Sequence, residues 1–205
     1  MIKEIDKYER EDIFKHYHIC DNPFLNITTK IDVTNIVNYC KKNKNFYATM
    51  GYLLCKTANE VDSFKYRYQD NKFYYCDDLI TNYTDMYQNG NIGYFDVDYN
   101  DDYQLYIEDF KKVKEQFLMD NNYNIDNKIN EIWLSCVPWM KCSSIVSPFN
   151  KNCLIPQLIW DKYELENDKY YVNLTIVIHH GFSDGYHLAT FIKLFDKNIQ
   201  EFTNV

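Results

Sequence analysis

Apolar residues recur along this chain with two periods, and each period predicts an element. In "LNITTKIDVT" the positions Ile27, Thr29, Ile31 and Val33 share one face, which is the period-2 pattern of a strand. "YYVNLTIVIHH" repeats it with Val172, Leu174, Ile176 and Ile178. "IWLSCVPWM" reads as a strand ended by Pro138. Helical spacing appears in "EREDIFKHYHIC", with Ile13 and Phe14 expected inward, and in "NFYATMGYLLCKTANEVDSF". It recurs in "YQLYIEDFKKVKEQFLMD", with Leu105, Phe110, Val113 and Phe117 near one face. It ends the chain in "SDGYHLATFIKLFDKNI", with Leu188, Phe191, Ile192 and Phe195 inward. "DVTNIVNYCKKN" opens another helix with Asp32 or Thr34 as cap. "KYRYQDNKFYYCDDL" predicts a hairpin turning at Asp70-Asn71. The stretch from Asn89 to Asp102 is polar and reads as turns. Strands and helices mix without strict alternation, which favours an α/β sandwich with a mixed β-sheet.

Composition narrows the class. The 205 residues carry no long Gly/Pro/Ser linker and no repeat, so one domain over 1–205 is expected. Apolar content of 46%, with 18% aromatics, is too high for disorder. The net charge of -8 speaks against nucleic acid and against anionic membrane surfaces. A small anionic ligand needs only local cations and stays open. Seven cysteines at wide spacing, with no C-x-x-C, argue against a disulfide framework and a zinc ribbon. The N-terminus is charged, without the apolar core of a signal peptide, and no apolar run reaches about eighteen residues. A cytoplasmic protein is the expectation.

Candidate chemistry concentrates in "IHHGFSDGYH", residues 178–187. It holds three of the five histidines and two of the five glycines. A strand runs into His179 and His180, Gly181 permits a turn, and Ser183 or Asp184 can cap the next helix. His180 then sits at a strand end, where a rigid element presents it to a cleft. Imidazole accepts a proton near neutral pH, and a nearby carboxylate can hold the turn or the ring. His179 reads as structural, and His187 as a packing or hydrogen-bonded helix residue. The three histidines could hold a metal by count. No H-E-x-x-H pattern or carboxylate at ligand spacing supports one, so no metal is expected.

"HHGFSDGYHLATFI" resembles the H-H-x-x-x-D-G-[FY]-H signature of the chloramphenicol acetyltransferases. "KYEREDIFKHY", "TKIDVT", "KKNKNFYATMGYLL" and "LSCVPWMKCSS" resemble further segments of that family in the same order. The match is weakest over roughly 80–130. The resemblance implies a two-layer α/β sandwich with a mixed β-sheet, active as a homotrimer with each site between two subunits. It implies acetyl-CoA as co-substrate, no permanently bound cofactor, and chloramphenicol or a similar small alcohol as acceptor. His180 would be the general base and Ser135 the donor to the tetrahedral oxyanion. Asp184 would pair with Arg10, one of only two arginines, and hold the turn. Lys162 and Tyr163 would bind coenzyme A. Tyr17, Trp139 and Met86 are candidates to line the acceptor pocket, against the simpler reading that they are core.

The sequence also departs from the family. Its A-V-C between His and Asp is Gly181-Phe182-Ser183 here, which suggests a looser turn and a bulkier side chain. Ile159 stands where the family has a threonine, and Pro23 where it has a cysteine, with Cys20 three residues away. Asn45, beside Lys44, replaces a lysine, and Ala48 replaces a proline. These changes favour acetyl transfer over any one acceptor. They leave open a same-fold acyltransferase with another acceptor or acyl donor, and a catalytically weak relative that sequesters its ligand. A dihydrolipoyl-type core is disfavoured, because it would follow a lipoyl domain and linker.

Overall fold

A computed structural model describes residues 1–43, 45–120, 128–148, 150 and 152–202; Lys44 lies outside these. In chain order the elements are β1 (Ile2–Ile5), α1 (Glu11–His18), β2 (Phe24–Asp32), α2 (Thr34–Asn43) and α3 (Phe46–Asn59). They continue with β3 (Tyr66–Gln69), β4 (Lys72–Cys76), β5 (Ile80–Met86), β6 (Ile92–Val97), α4 (Tyr103–Asp120) and β7 (Glu131–Val137). The last are β8 (Gln157–Asp161), β9 (Glu164–Glu166), β10 (Lys169–His179) and α5 (Gly185–Phe202).

Seven strands form one sheet in the order β2-β10-β8-β7-β5-β6, with β9 added beside β10. β7 runs parallel to β5 and β8, and the other pairs are antiparallel, so the sheet is mixed as expected. One face carries Ile132, Leu134, Leu158, Trp160, Leu174, Ile176 and Ile178. These pack with the buried residues of α2, α3, α4 and α5 in a single core. α3 is buried nearly all round, from Ala48 to Ala58, which suits a helix sunk between the sheet and α5. The other face bears Asn82, Thr84, Trp133, Ser135, Gln157, Ile159, Thr175 and Thr28, because side chains alternate along each strand. A separate antiparallel sheet, β1-β4-β3, packs with α1 around Tyr8, Phe14, Phe73 and Phe182.

Most predicted elements stand. The β3–β4 hairpin turns at Asp70 and Asn71 with φ of 51° and 62°, the left-handed pair that a two-residue hairpin needs. Asp32 receives the backbone N–H and the hydroxyl of Thr34 at the start of α2. Three expectations fail. The 89–102 stretch holds β6, whose Phe95 and Val97 face the helices while Asp96 faces away, so its polar residues mask a strand. Leu105 is exposed, and Tyr106, Ile107 and Phe110 form the buried stripe of α4 instead. Ile13 is exposed as well, because the inward face of α1 follows Arg10, Phe14 and Tyr17, spaced i, i+4, i+7.

Arg67 ties the small sheet to the large one. It is 2% exposed, and its guanidinium donates to the carbonyls of Phe64, Tyr66, Ile129 and Glu131 at 2.6–2.8 Å. Burial lowers its pKa to about 10, so it stays charged at neutral pH. Replacing it strands several buried acceptors at the entry to β7. Arg67→Met is therefore expected to cost about 3–5 kcal/mol, read as a lower urea midpoint at unchanged slope. A shift below about 1 kcal/mol would count against this bracing role.

Candidate active site

β10 ends at His179, paired antiparallel with Phe24 of β2, and His180 follows just beyond the strand end. The backbone then folds tightly. Phe182 and Ser183 N–H both donate to the His179 carbonyl, and His180 N–H donates to the Pro23 carbonyl at 2.8 Å. Ser183 Oγ donates to Ser63 Oγ at 2.8 Å, and Tyr8 hydroxyl to the Gly181 carbonyl at 3.2 Å. The turn is thus pinned from both sheets before any catalytic group is considered.

The two adjacent histidines have different environments. His179 is fully buried among Phe14, Phe24 and Phe182, and its Nδ1 accepts the Gly181 N–H at 3.0 Å. His180 is half-buried and lies flat on Tyr17, with ring centroids 4.0 Å apart and planes 7° apart. Its Nδ1 is buried without a hydrogen-bond partner among the described residues. Nε2 is not among the buried ring nitrogens that lack a partner.

Arg10, at the N-terminal end of α1, places Nη2 3.1 Å from Asp184 Oδ2. Its Nη1 donates to the Phe182 carbonyl at 3.3 Å and contacts the His187 ring nitrogens at 3.1 and 3.2 Å. His187 Nδ1 lies 2.8 Å from Asp184 Oδ1. That oxygen also receives the N–H of Tyr186 and His187, so Asp184 caps α5. Burial works to raise the Asp184 carboxyl. The bonds from His187 and the Arg10 charge outweigh it and hold the group below its ordinary range. Asp184 is thereby fixed as a charged post between helix, turn and α1.

Gly181 acts differently from expectation. Its φ lies outside the left-handed region, so the turn itself does not demand glycine. A Cβ there would stand 2.6 Å from Phe14 Cα and 2.8 Å from its ring. The glycine is required by the close approach of α1, and it tightens the site rather than loosening it. Phe182 is 1% exposed and fills the same aromatic cluster, so its bulk is spent on packing. Gly185 meets nothing within 4 Å and carries no such constraint.

Ser135 sits on β7, opposite Ile159 of β8. Both line a cavity of about 420 Å³ with Thr84, Trp133, Gln157 and Pro148. His180 is not among the residues lining it, and no hydrogen bond among the described residues joins His180 to Ser135. Trp139 is 69% exposed just beyond β7, and Met86 ends β5 opposite Ile92, which lines the cavity. Lys162 is exposed. Tyr163 packs on Phe46 at 4.9 Å beside a hollow of about 240 Å³ with Lys41 at its rim. Among the described residues no three His, Cys, Asp or Glu side chains converge as metal ligands, and no helix is long and apolar enough to cross a membrane.

Sequence reading missed Gln157, Asn82 and Thr84 as cavity residues. A signal existed in "PQLIWD", where Gln157, Ile159 and Asp161 alternate with Leu158 and Trp160.

The fold is an α/β sandwich with a mixed sheet, whose last strand leads into a histidine beside a braced turn. A family model for chloramphenicol acetyltransferase matches residues 2–196. The chloramphenicol acetyltransferase of Clostridium perfringens is 26% identical, with 100% of this chain and 99% of the relative aligned. That of Staphylococcus aureus is 27% identical, over 98% and 96%. A solved chloramphenicol acetyltransferase superposes with a TM-score of 0.80 at 23% identity, covering 97% of this chain and 100% of that one. A probable dihydrolipoamide acetyltransferase from Listeria monocytogenes reaches 0.70 at 14%, covering 97% and 94%. The chain belongs to the chloramphenicol acetyltransferase family.

The buried histidine makes the site sensitive to acid. Burial first, then the neighbouring His18 and His180, push the His179 imidazole down to about 3. Its unfolded value is near 6.5. Between these values the folded chain binds fewer protons than the unfolded one, so stability is full above about 6.5 and lost as pH falls toward 3. This group alone should remove roughly 2 kcal/mol between pH 7 and pH 5. His179→Asn keeps an acceptor for the Gly181 N–H, and urea unfolding at the two pH values should lack that part of the drop. An unchanged drop would assign the acid sensitivity elsewhere.

Proposed function

We propose that this protein transfers the acetyl group of acetyl-CoA to the primary hydroxyl of chloramphenicol, as a cytoplasmic homotrimer. The observation that carries this reading is the braced turn. Arg10, Asp184 and the Gly181–Phe14 contact hold His180 at the end of β10 against Tyr17. A base held this way loses little entropy on reaching the transition state.

In this reading His180 Nε2 takes the proton of the acceptor hydroxyl as its oxygen attacks the thioester carbonyl. The tetrahedral oxyanion accepts a hydrogen bond from Ser135. Collapse expels the thiolate, which recovers the proton from His180, giving the acetyl ester and free coenzyme A. No acyl-enzyme forms. The separate positions of His180 and the Ser135 cavity support a site completed between two subunits, one giving the base and its neighbour the cavity. Tyr17 acts on His180 rather than on the acceptor alone. Lys162 and Tyr163, beside the small hollow at Phe46, are the candidates for coenzyme A. Trp139 and Met86 would border the acceptor once subunits meet. Ile159 in the cavity wall favours a second reading, in which the acceptor is bound and only slowly acetylated.

Thiol release from acetyl-CoA separates these readings, with a blank for the seven native cysteines. Chloramphenicol-dependent release is expected. His180→Ala should lower it by at least about 100-fold, and Ser135→Ala should lower turnover about 100- to 1000-fold with a smaller change in KM. Chloramphenicol binding without thiol release would favour sequestration. Neither binding nor release would remove this drug as the acceptor.

A further inference from the structure

Glu131 opens β7 as a carboxylate that is 0% exposed. Its two oxygens are spent on different groups. Oε1 accepts the backbone N–H of Lys128 at 2.6 Å and closes the turn that enters the strand. Oε2 accepts the indole Nε1–H of Trp133 at 2.7 Å. Alternation along β7 puts Glu131, Trp133 and Ser135 on one face. Trp133 and Ser135 line the same cavity, with Trp133 in register with Asn82 on β5 and Gln157 on β8. An indole on a strand face has several staggered rotamers open to it. The tie at Nε1 selects one, and so fixes the wall two residues from Ser135.

Among the described residues no cation bonds to the Glu131 carboxylate. The Lys128 ammonium pairs with Asp96 Oδ2 at 2.8 Å, and Asp96 Oδ1 accepts from Asn82 at 2.8 Å. The Arg67 guanidinium donates to the Glu131 backbone carbonyl instead. Burial raises the nearby Cys153 thiol, which stays neutral at pH 7. Burial likewise pushes the Glu131 carboxyl up to about 7, against the pull of the N–H bonds from Lys128 and Trp133. The Asp96 charge adds to the rise, and the Lys128 charge opposes it.

We propose that Glu131 is a positioning residue, whose carboxylate holds the Trp133 indole in the wall of the Ser135 cavity. A hydrogen bond to a charged acceptor is about twice as strong as one between neutral groups. The hold therefore loosens as pH falls through about 7. This deepens the acetyl-transfer reading and rests on it only for the kinetic arm of the test.

The first arm titrates tryptophan fluorescence between about pH 5 and about pH 9, without substrates, on wild type, Trp133→Phe and Glu131→Gln. A charge that appears 2.7 Å from the indole nitrogen changes its emission. Wild type should show a transition centred near pH 7, and both variants should lack it. Glutamine has no proton to lose, and it offers a donor where the carboxylate offers a second acceptor. The histidines are kept in every variant, so their contribution stays in every curve. The second arm measures kcat and KM for chloramphenicol by thiol release at about pH 6 and about pH 8. The rise in KM on acidification should be about 3- to 10-fold larger in wild type than in Glu131→Gln. The change in kcat, which belongs to the base, should be the same in both. A fluorescence curve that Trp133→Phe leaves unchanged would overturn the proposal, and so would equal KM rises in wild type and Glu131→Gln. If Glu131→Gln does not fold, wild type against Trp133→Phe decides alone. A transition that Trp133→Phe removes, with no thiol release from any of the proteins, would keep the hold on Trp133 and sink acetyl transfer.

Discussion

The site depends on one close approach, that of α1 against the turn after β10. Phe14 Cα comes so near residue 181 that only glycine fits there. That single contact sets the distance at which everything else on α1 can act. Arg10, one turn before Phe14, reaches Asp184. Tyr17, about one turn after it, lies flat against His180. Spacing of i, i+4 and i+7 puts the cap residue Arg10 on the same side of α1 as Phe14 and Tyr17. A methyl group at 181 would push the helix away and loosen the ion pair and the ring stack together. The bracing is therefore coupled, and the arginine fork, the packing and the stack are parts of one arrangement.

The two histidines show how one strand can give neighbouring residues opposite roles. Alternation turns successive side chains to opposite sides. His179 enters an aromatic cluster, stays neutral, and spends its Nδ1 on the turn. His180 emerges half-buried with a nitrogen still uncommitted. The same alternation on β7 and β8 builds the cavity. Leu134, Leu158 and Trp160 face the helices, while Ser135, Gln157 and Ile159 face the opposite side. The helical layer buries apolar side chains and stabilises the sheet. The opposite face is free to carry polar groups such as Ser135 and Gln157.

What could be read in advance followed the strength of the local pattern. β2, β10, α3 and α5 have long, clean periods, and their positions were legible to within a few residues. β6 was not, because asparagines, glycines and aspartates surround it and only Phe95 and Val97 turn inward. Ile13 and Leu105 were misplaced for a different reason. An amphipathic helix can carry more apolar residues than its buried stripe holds, and periodicity alone does not say which one is left outside. The departures at Gly181 and Phe182 looked like a loosened turn in sequence. In three dimensions the missing Cβ admits α1, and the phenylalanine fills the aromatic cluster beside it.

The sequence by itself determined the fold class, the strand-end histidine motif, the family, and a helix cap at Ser183 or Asp184. These are properties of short spacings, set by backbone geometry and side-chain type within a few residues. The resemblance implied the pairing of Arg10 with Asp184 across 174 positions of chain, and the two stand 3.1 Å apart; only the tertiary structure decided that Gly181 answers to Phe14. It alone decided that Gln157 shares a cavity with Ser135 while His180 stands apart from it. Those relations depend on strand register and on how closely a helix packs against a turn. Register and packing distance are fixed by the summed fit of the whole core, which no local stretch of sequence contains.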